Sequence, residues 1–121
     1  MAKVFLDANY FIGLVNRAKE TQTDVVDNHV CCVSILSCHI LCYVNKTKIP
    51  DKALDSFLDD FIIVDLKEEI LQKALHGPTS DLEDNLQLHS AAEAECDYFL
   101  TNDRKLLGMK FFGKTRIVQS P

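Results

Sequence analysis

The sequence predicts an α/β fold. A single domain over residues 1–121 would hold a central, mostly parallel sheet of about five strands between helices on both faces, in three layers. Three observations predict it. Short runs that are apolar almost throughout recur along the chain, the pattern of strands covered on both faces rather than on one. Segments with helical apolar spacing alternate with those runs, and alternation of this kind implies right-handed crossovers onto a parallel sheet. Finally, 121 residues without an internal repeat or a low-complexity linker suffice for one core and not for two.

Taken in order, the strand-like runs are "VFL" (4–6), "HVCCV" (29–33), "FIIVDL" (61–66), "YFLT" (98–101) and "RIV" (116–118). The first helical stripe is Phe11, Leu14, Val15 and Ala18, spaced i, i+3, i+4, i+7. Residues 19–28, "KETQTDVVDN", are polar and short and read as a loop. Leu36, Ile40, Tyr43 and Val44 form a second stripe, in a helix apolar on most sides. Ala53, Leu54, Phe57, Leu58 and Phe61 form a third, and Ile70, Leu71, Ala74 and Leu75 a fourth that Gly77-Pro78 ends. Leu88, Ala91 and Ala92 mark a fifth helix, entered through "SDLED", whose two alanines would allow close approach to the sheet.

Composition narrows the function classes. Hydrophobic residues make up 47% and charged residues 26%, an ordinary globular balance. No run of 18 apolar residues suggests a membrane span, and "MAKVFLDANYF" is too short and too interrupted by charge for a signal peptide, so a cytoplasmic location is expected. The five cysteines are then expected as free thiols. Cys38, His39 and Cys42 share a helical turn, but no C-x-x-C pair or second ligand cluster supports zinc, and packing is the simpler use of these thiols. A net charge of −5 argues against simple electrostatic coating of nucleic acid. The distribution is more telling, because no acidic residue follows Asp103 while Arg104, Lys105, Lys110, Lys114 and Arg116 do.

Three carboxylates reach one edge of such a sheet by independent routes. Asp7 ends the first strand, Asp103 follows the strand "YFLT", and Asp84 lies in the first turn of the fifth helix, in phase with Leu88 and Ala91. Ligands of open α/β sheets bind beyond the carboxyl ends of the strands, where these residues would stand. Singly, each Asp also suits a helix start, as a cap or as a first-turn acid. Together they would repel one another unless a cation joined them, and oxygen-only ligands suit Mg²⁺ or Mn²⁺. The D-x-D of a haloacid-dehalogenase-type phosphatase is missing, since Ala8 and Asn9 follow Asp7. The acid order does not fit a response-regulator receiver, and no G-x-G-x-x-G or P-loop occurs.

The segments "KVFLDANYFIGL", "VSILSCHILCYV" and "DLEDNLQLHSAAEAECDYFLTNDRKL", closed by "RIV", resemble the PIN domain, the fold of metal-dependent ribonucleases that includes VapC-type toxins. The resemblance covers nearly the whole chain. It implies a parallel sheet flanked by helices, and Mg²⁺ or Mn²⁺ held by Asp7, Asp84 and Asp103. Asn9 would be a polar helper of the catalytic group, and Thr101 and Asn102 would shape the loop of a fourth acid. The family's usual Glu, six residues after the Ser of an S-x-x-T/S-x-x-E helix, is here Ile40; Glu83, next to Asp84, reads either as a substitute or, more simply, as a solvent-facing residue. The segment before "HVCCVS" is also short for the family.

The resemblance thus implies metal-assisted hydrolysis of RNA by the toxin of a VapBC-like pair. RNA would be met by Thr101, Asn102, Arg104 and Lys105, a small antitoxin would be the protein partner, and a homodimer would be in keeping. A rival reading is a PIN-like module that lacks the acid at Ile40 and binds RNA or protein without cleavage. A third is a structural α/β domain whose three acids are caps.

Overall fold

The structure is a computed structural model that describes residues 1–17 and 24–121. Along the chain run β1 (Lys3–Leu6), α1 (Ala8–Arg17), α2 (Asp24–Asn28), β2 (Val30–Ser34), α3 (Ile35–Val44), α4 (Lys52–Leu58), β3 (Phe61–Val64), α5 (Glu68–Ala74), α6 (Leu82–Glu93), β4 (Tyr98–Leu100), α7 (Arg104–Met109), β5 (Phe111–Phe112) and β6 (Thr115–Val118). The strands form one sheet in the order β3-β2-β1-β4-β6-β5, parallel except for the β5–β6 pair. All five strand-like runs of the sequence are strands. The sixth strand, β5, has two residues, too few to leave a periodic signal. Its turn into β6 passes through Gly113 at φ +59°, a left-handed conformation that glycine adopts at no steric cost.

Side chains alternate across the sheet and divide the core in two. Val4, Leu6, Cys31, Val33 and Leu100 face α1 and α3, where they pack with Phe11, Ile12, Leu14 and Leu41. Phe5, Cys32, Phe99 and Ile117 face α6 and α7, where they meet Leu88, Ala91 and Leu106. Phe5 and Phe99, paired across β1 and β4, stack with ring centroids 5.6 Å apart. Three layers result, as the apolar runs imply. Burial of three cysteines, Cys31, Cys32 and Cys96, follows from the same packing, while Cys38 and Cys42 on α3 are half-exposed and all five are free.

Several details depart from the sequence reading. The loop expected at 19–28 contains the short helix α2 from Asp24 to Asn28, while 19–23 lie outside the described residues. Val25 and Val26 of α2 pack against the α1–α3 core, which gives the segment its reason to coil. On α3 the buried positions are Ser37 and Leu41, whereas Tyr43 and Val44 are exposed. The predicted stripe was out of phase because that helix is apolar around most of its circumference, so spacing alone could not choose a face. In α5, Ile70 and Ala74 are buried while Leu71 and Leu75 face outward. Ala92 is exposed, and the small residues α6 buries are Ser90 and Ala91. Ile62 and Ile63 are exposed because β3 is an edge strand and not a covered one.

No helix among the described residues is long and apolar enough to cross a membrane.

Candidate active site

Asp7 stands one residue beyond β1, in the middle of the sheet, and extends the ladder by donating its amide to the Leu100 carbonyl at 3.0 Å. Its side chain is buried. Oδ1 accepts from the Ala8 amide at 2.9 Å and Oδ2 from the Thr101 hydroxyl at 2.8 Å. The Thr101 oxygen in turn accepts from the Asp103 amide at 3.0 Å. A single hydroxyl therefore ties the end of β1 to the loop after β4. Burial pushes the Asp7 carboxyl above the usual range, against the two hydrogen bonds, and the charges of Asp103 and Asp81 push the same way.

Thr101 is fully buried and committed to Asp7, so it offers no surface to RNA, contrary to the sequence expectation. Alternation explains this. Thr101 follows Phe99 on the inner, α6-facing side of the strand, and β6 covers its backbone through a 3.1 Å bond to the Val118 carbonyl.

Asp84 lies in the first turn of α6, partly buried. Its carboxyl is pushed up to about 6 by desolvation first, then by the charges of Asp81, Asp7, Asp103 and Glu83. Asp81 is the N-cap of α6, its Oδ1 accepting from the Asp84 amide at 3.0 Å. Asp103 caps α7, with Oδ1 accepting from the amides of Lys105 and Leu106 at 2.8 and 3.2 Å. The capping role uses Oδ1 alone, which leaves it compatible with a place for Asp103 in a candidate site.

Between α6 and α7 lies a cleft of about 660 Å³, lined on one side by Pro78, Thr79, Asp81 and Asp84 and on the other by Asp103, Arg104 and Lys105. The structure thus brings Asp84 and Asp103 to one cleft with Arg104 and Lys105. Asp7 lies behind it, close enough for its charge to act on Asp84 and Glu83. Asn9 is exposed in the first turn of α1. Asn102 is exposed and accepts from the Gln119 side chain at 3.3 Å. Ile40 packs against the α1–α3 core, so the position at which the resemblance implied a Glu makes an apolar contact. Glu83 is exposed, its carboxyl raised by partial desolvation and then by Asp7 and Asp81.

The donor set is oxygen only, and the neighbouring charges that act on Asp7 and Asp84 are carboxylates, which raise both. In chemistry and charge it fits a hard divalent cation. In spacing it is open: among the described residues no three His, Cys, Asp or Glu side chains converge closely enough to hold a metal ion as they stand. Asp81 and Thr101 are the site residues whose roles sequence reasoning missed. The Asp81-x-x-Asp84 spacing carries the N-cap signal that would have found the first.

No family model and no curated protein matches the sequence. Solved structures do match. A chain from the crystal structure of VapBC2 from Rickettsia felis, bound to a DNA fragment from its promoter, superposes with a TM-score of 0.68 at 17% identity, covering 96% of this chain and 97% of that one. Identity so low speaks for the fold alone. That fold, over nearly the whole length of the chain, is VapC/PIN-like.

Proposed function

We propose that the chain is a Mg²⁺- or Mn²⁺-dependent ribonuclease of the PIN type, acting in the cytoplasm as the toxin of a VapBC-like pair. The observation that carries this reading is the meeting of Asp84 and Asp103 at one cleft, with Asp7 behind them and the charges of Asp7 and Asp103 both acting on Asp84. Asp7, Asp84 and Asp103 would hold the ion. When bound, such an ion supplies Lewis acidity at the phosphate and lowers the pKa of water at neutral pH. The side chains do the rest. Asp7, fixed by Ala8 and Thr101, presents its carboxylate in one orientation. Asp84, its carboxyl pushed up by burial and neighbouring acids, would give up its proton to take part in holding the ion. Arg104 and Lys105 draw the phosphate backbone to an otherwise acidic surface without reading sequence. Single-stranded RNA suits a small cleft because its bases can be splayed apart. The likeness to a VapBC component favours a small antitoxin as protein partner.

The test is cleavage of single-stranded RNA by purified protein with Mn²⁺, with Mg²⁺ and with EDTA. Expected is metal-dependent cleavage that falls at least about a hundredfold in Asp7→Asn and in Asp103→Asn, the scale on which removing an electrostatic element slows catalysis. A wild-type protein inert with both metals would sink the reading. One observation favours the binding-module alternative, namely the apolar packing of Ile40 where a fourth acid is usual. Its signature would be RNA binding that weakens steeply with salt, without cleavage.

A further inference from the structure

Four consecutive residues of α6, Asn85, Leu86, Gln87 and Leu88, are buried, so this turn of the helix is enclosed all round. Leu88 packs on the sheet and Leu86 joins Ile70 and Ala74 of α5. Asn85 is saturated. Its oxygen accepts from the Thr79 amide and hydroxyl at 2.8 and 2.6 Å, and its nitrogen donates to the carbonyls of Ala74 and Thr79, both at 2.9 Å. Gln87, wholly buried, reaches the start of α3. Its oxygen accepts from the Ser34 hydroxyl at 2.7 Å and its nitrogen donates to the Ser37 hydroxyl at 2.6 Å.

The position of Ser34 gives this network its meaning. Phe5 pairs with Cys32 on one side and with Phe99 on the other. Two residues further along each strand, on the same face, come Asp7, Ser34 and Thr101. Ser34 therefore stands beside Asp7 at the carboxyl edge of the sheet, on the side opposite Thr101. Gln87 lies one turn after Asp84 on α6. We propose that the Ser34–Ser37–Gln87 network is a spacer that sets the separation of Asp84 from Asp7, with Gln87 a positioning residue. This rests on the ribonuclease reading for its purpose, though not for its geometry.

Three neutral polar side chains in an apolar surrounding add little net stability over well-packed apolar ones, because their hydrogen bonds mainly offset their own desolvation. Their bonds are directional, however, and fix how α6 is rotated and advanced against β2, where an apolar contact would let it slide. Outer partners hydrogen-bonded to metal ligands change metal affinity by roughly 10–100-fold when removed, and a spacer one step further out is expected at the lower end of that range.

The experiment compares the wild type with Gln87→Met and with the double variant Ser37→Ala/Gln87→Met. Ser34 is kept because its oxygen also caps α3 by accepting from the Ser37 amide at 3.1 Å. Two quantities are read beside the melting temperature. In the double variant, amides of Asn85–Leu88 are expected to exchange with solvent at least about ten times faster, with those of Phe5 and Leu6 unchanged. Mn²⁺ affinity by calorimetry is expected to fall about tenfold or more at a melting temperature close to wild type. Unchanged exchange overturns the proposal, and so does faster exchange with unchanged Mn²⁺ affinity. If the wild type itself binds no Mn²⁺, the ribonuclease reading falls, and the exchange rates alone decide whether the network holds α6.

Discussion

Thr101 carries a larger share of this site than its size suggests. Its hydroxyl donates to Asp7 and accepts from the Asp103 amide, so two of the three acids meet through one oxygen. Replacing it with the near-isosteric valine leaves a buried carboxylate oxygen without its partner and hands the partly buried Asp103 amide to water. Thr101→Val is therefore expected to cost about 1–3 kcal/mol at pH 7, measured by urea denaturation. Because the lost bond is one that lowers the Asp7 pKa, the Asp7 midpoint should rise further, and the penalty should shrink in acid, where Asp7 is neutral. A penalty independent of pH would mean that the hydroxyl serves packing alone. The sequence "YFLTND" showed that a polar turn follows a strand. It could not show that Thr101 points inward, because that depends on which face of β4 meets α6.

At the scale of elements, α6 combines a cap, a site and a core contact within its first two turns. Asp81 stabilises the helix start as its cap and raises the Asp84 pKa by its charge. Asp81→Asn separates the two effects, since asparagine caps as well as aspartate but carries no charge. The expected result is a helix of undiminished stability and an Asp84 midpoint displaced downward from about 6, read by carboxyl NMR titration. An unmoved midpoint would remove Asp81 from the electrostatics of the cleft. Five strands and their mostly parallel pairing were legible because apolar runs alternated with helical stripes, while the two-residue β5 left no such run. Asp7, Asp84 and Asp103 were legible because each follows such a run or opens a helix. The face of α3 was not, because polar Ser37 is buried by a partner fifty residues away, and no local period records that. The helix α2 was hidden for a similar reason, being five residues coiled by contact with the core.

For the molecule as a whole, the raised carboxyls link pH to stability and, on the proposed function, to metal binding. Asp84 titrates near 6 in the folded chain against about 4 when unfolded, and Asp7 is shifted in the same direction. Between those values the folded state holds more protons, so this contribution to stability is full below pH 4 and is lost as pH rises through 6. A divalent cation held by these carboxylates as proposed would compete with the same protons. The rise in melting temperature on adding Mn²⁺ should accordingly be larger at pH 7.5 than at pH 5.5, measured by scanning fluorimetry. An equal rise at both pH values would place the ion elsewhere. The division of the cysteines has a consequence of another kind. Cys31, Cys32 and Cys96 are sealed in the two halves of the core, while Cys38 and Cys42 line an accessible helix. A thiol-reactive reagent at mildly alkaline pH should mark Cys42 first and Cys38 more slowly, since burial pushes the Cys38 thiol up. The remaining three should be marked only as the sheet opens, and Cys31, its thiol pushed up to about 12 by burial, gives up its proton only then. Counting labels by mass over time would turn the unmodified chain into its own clock for the opening of the core.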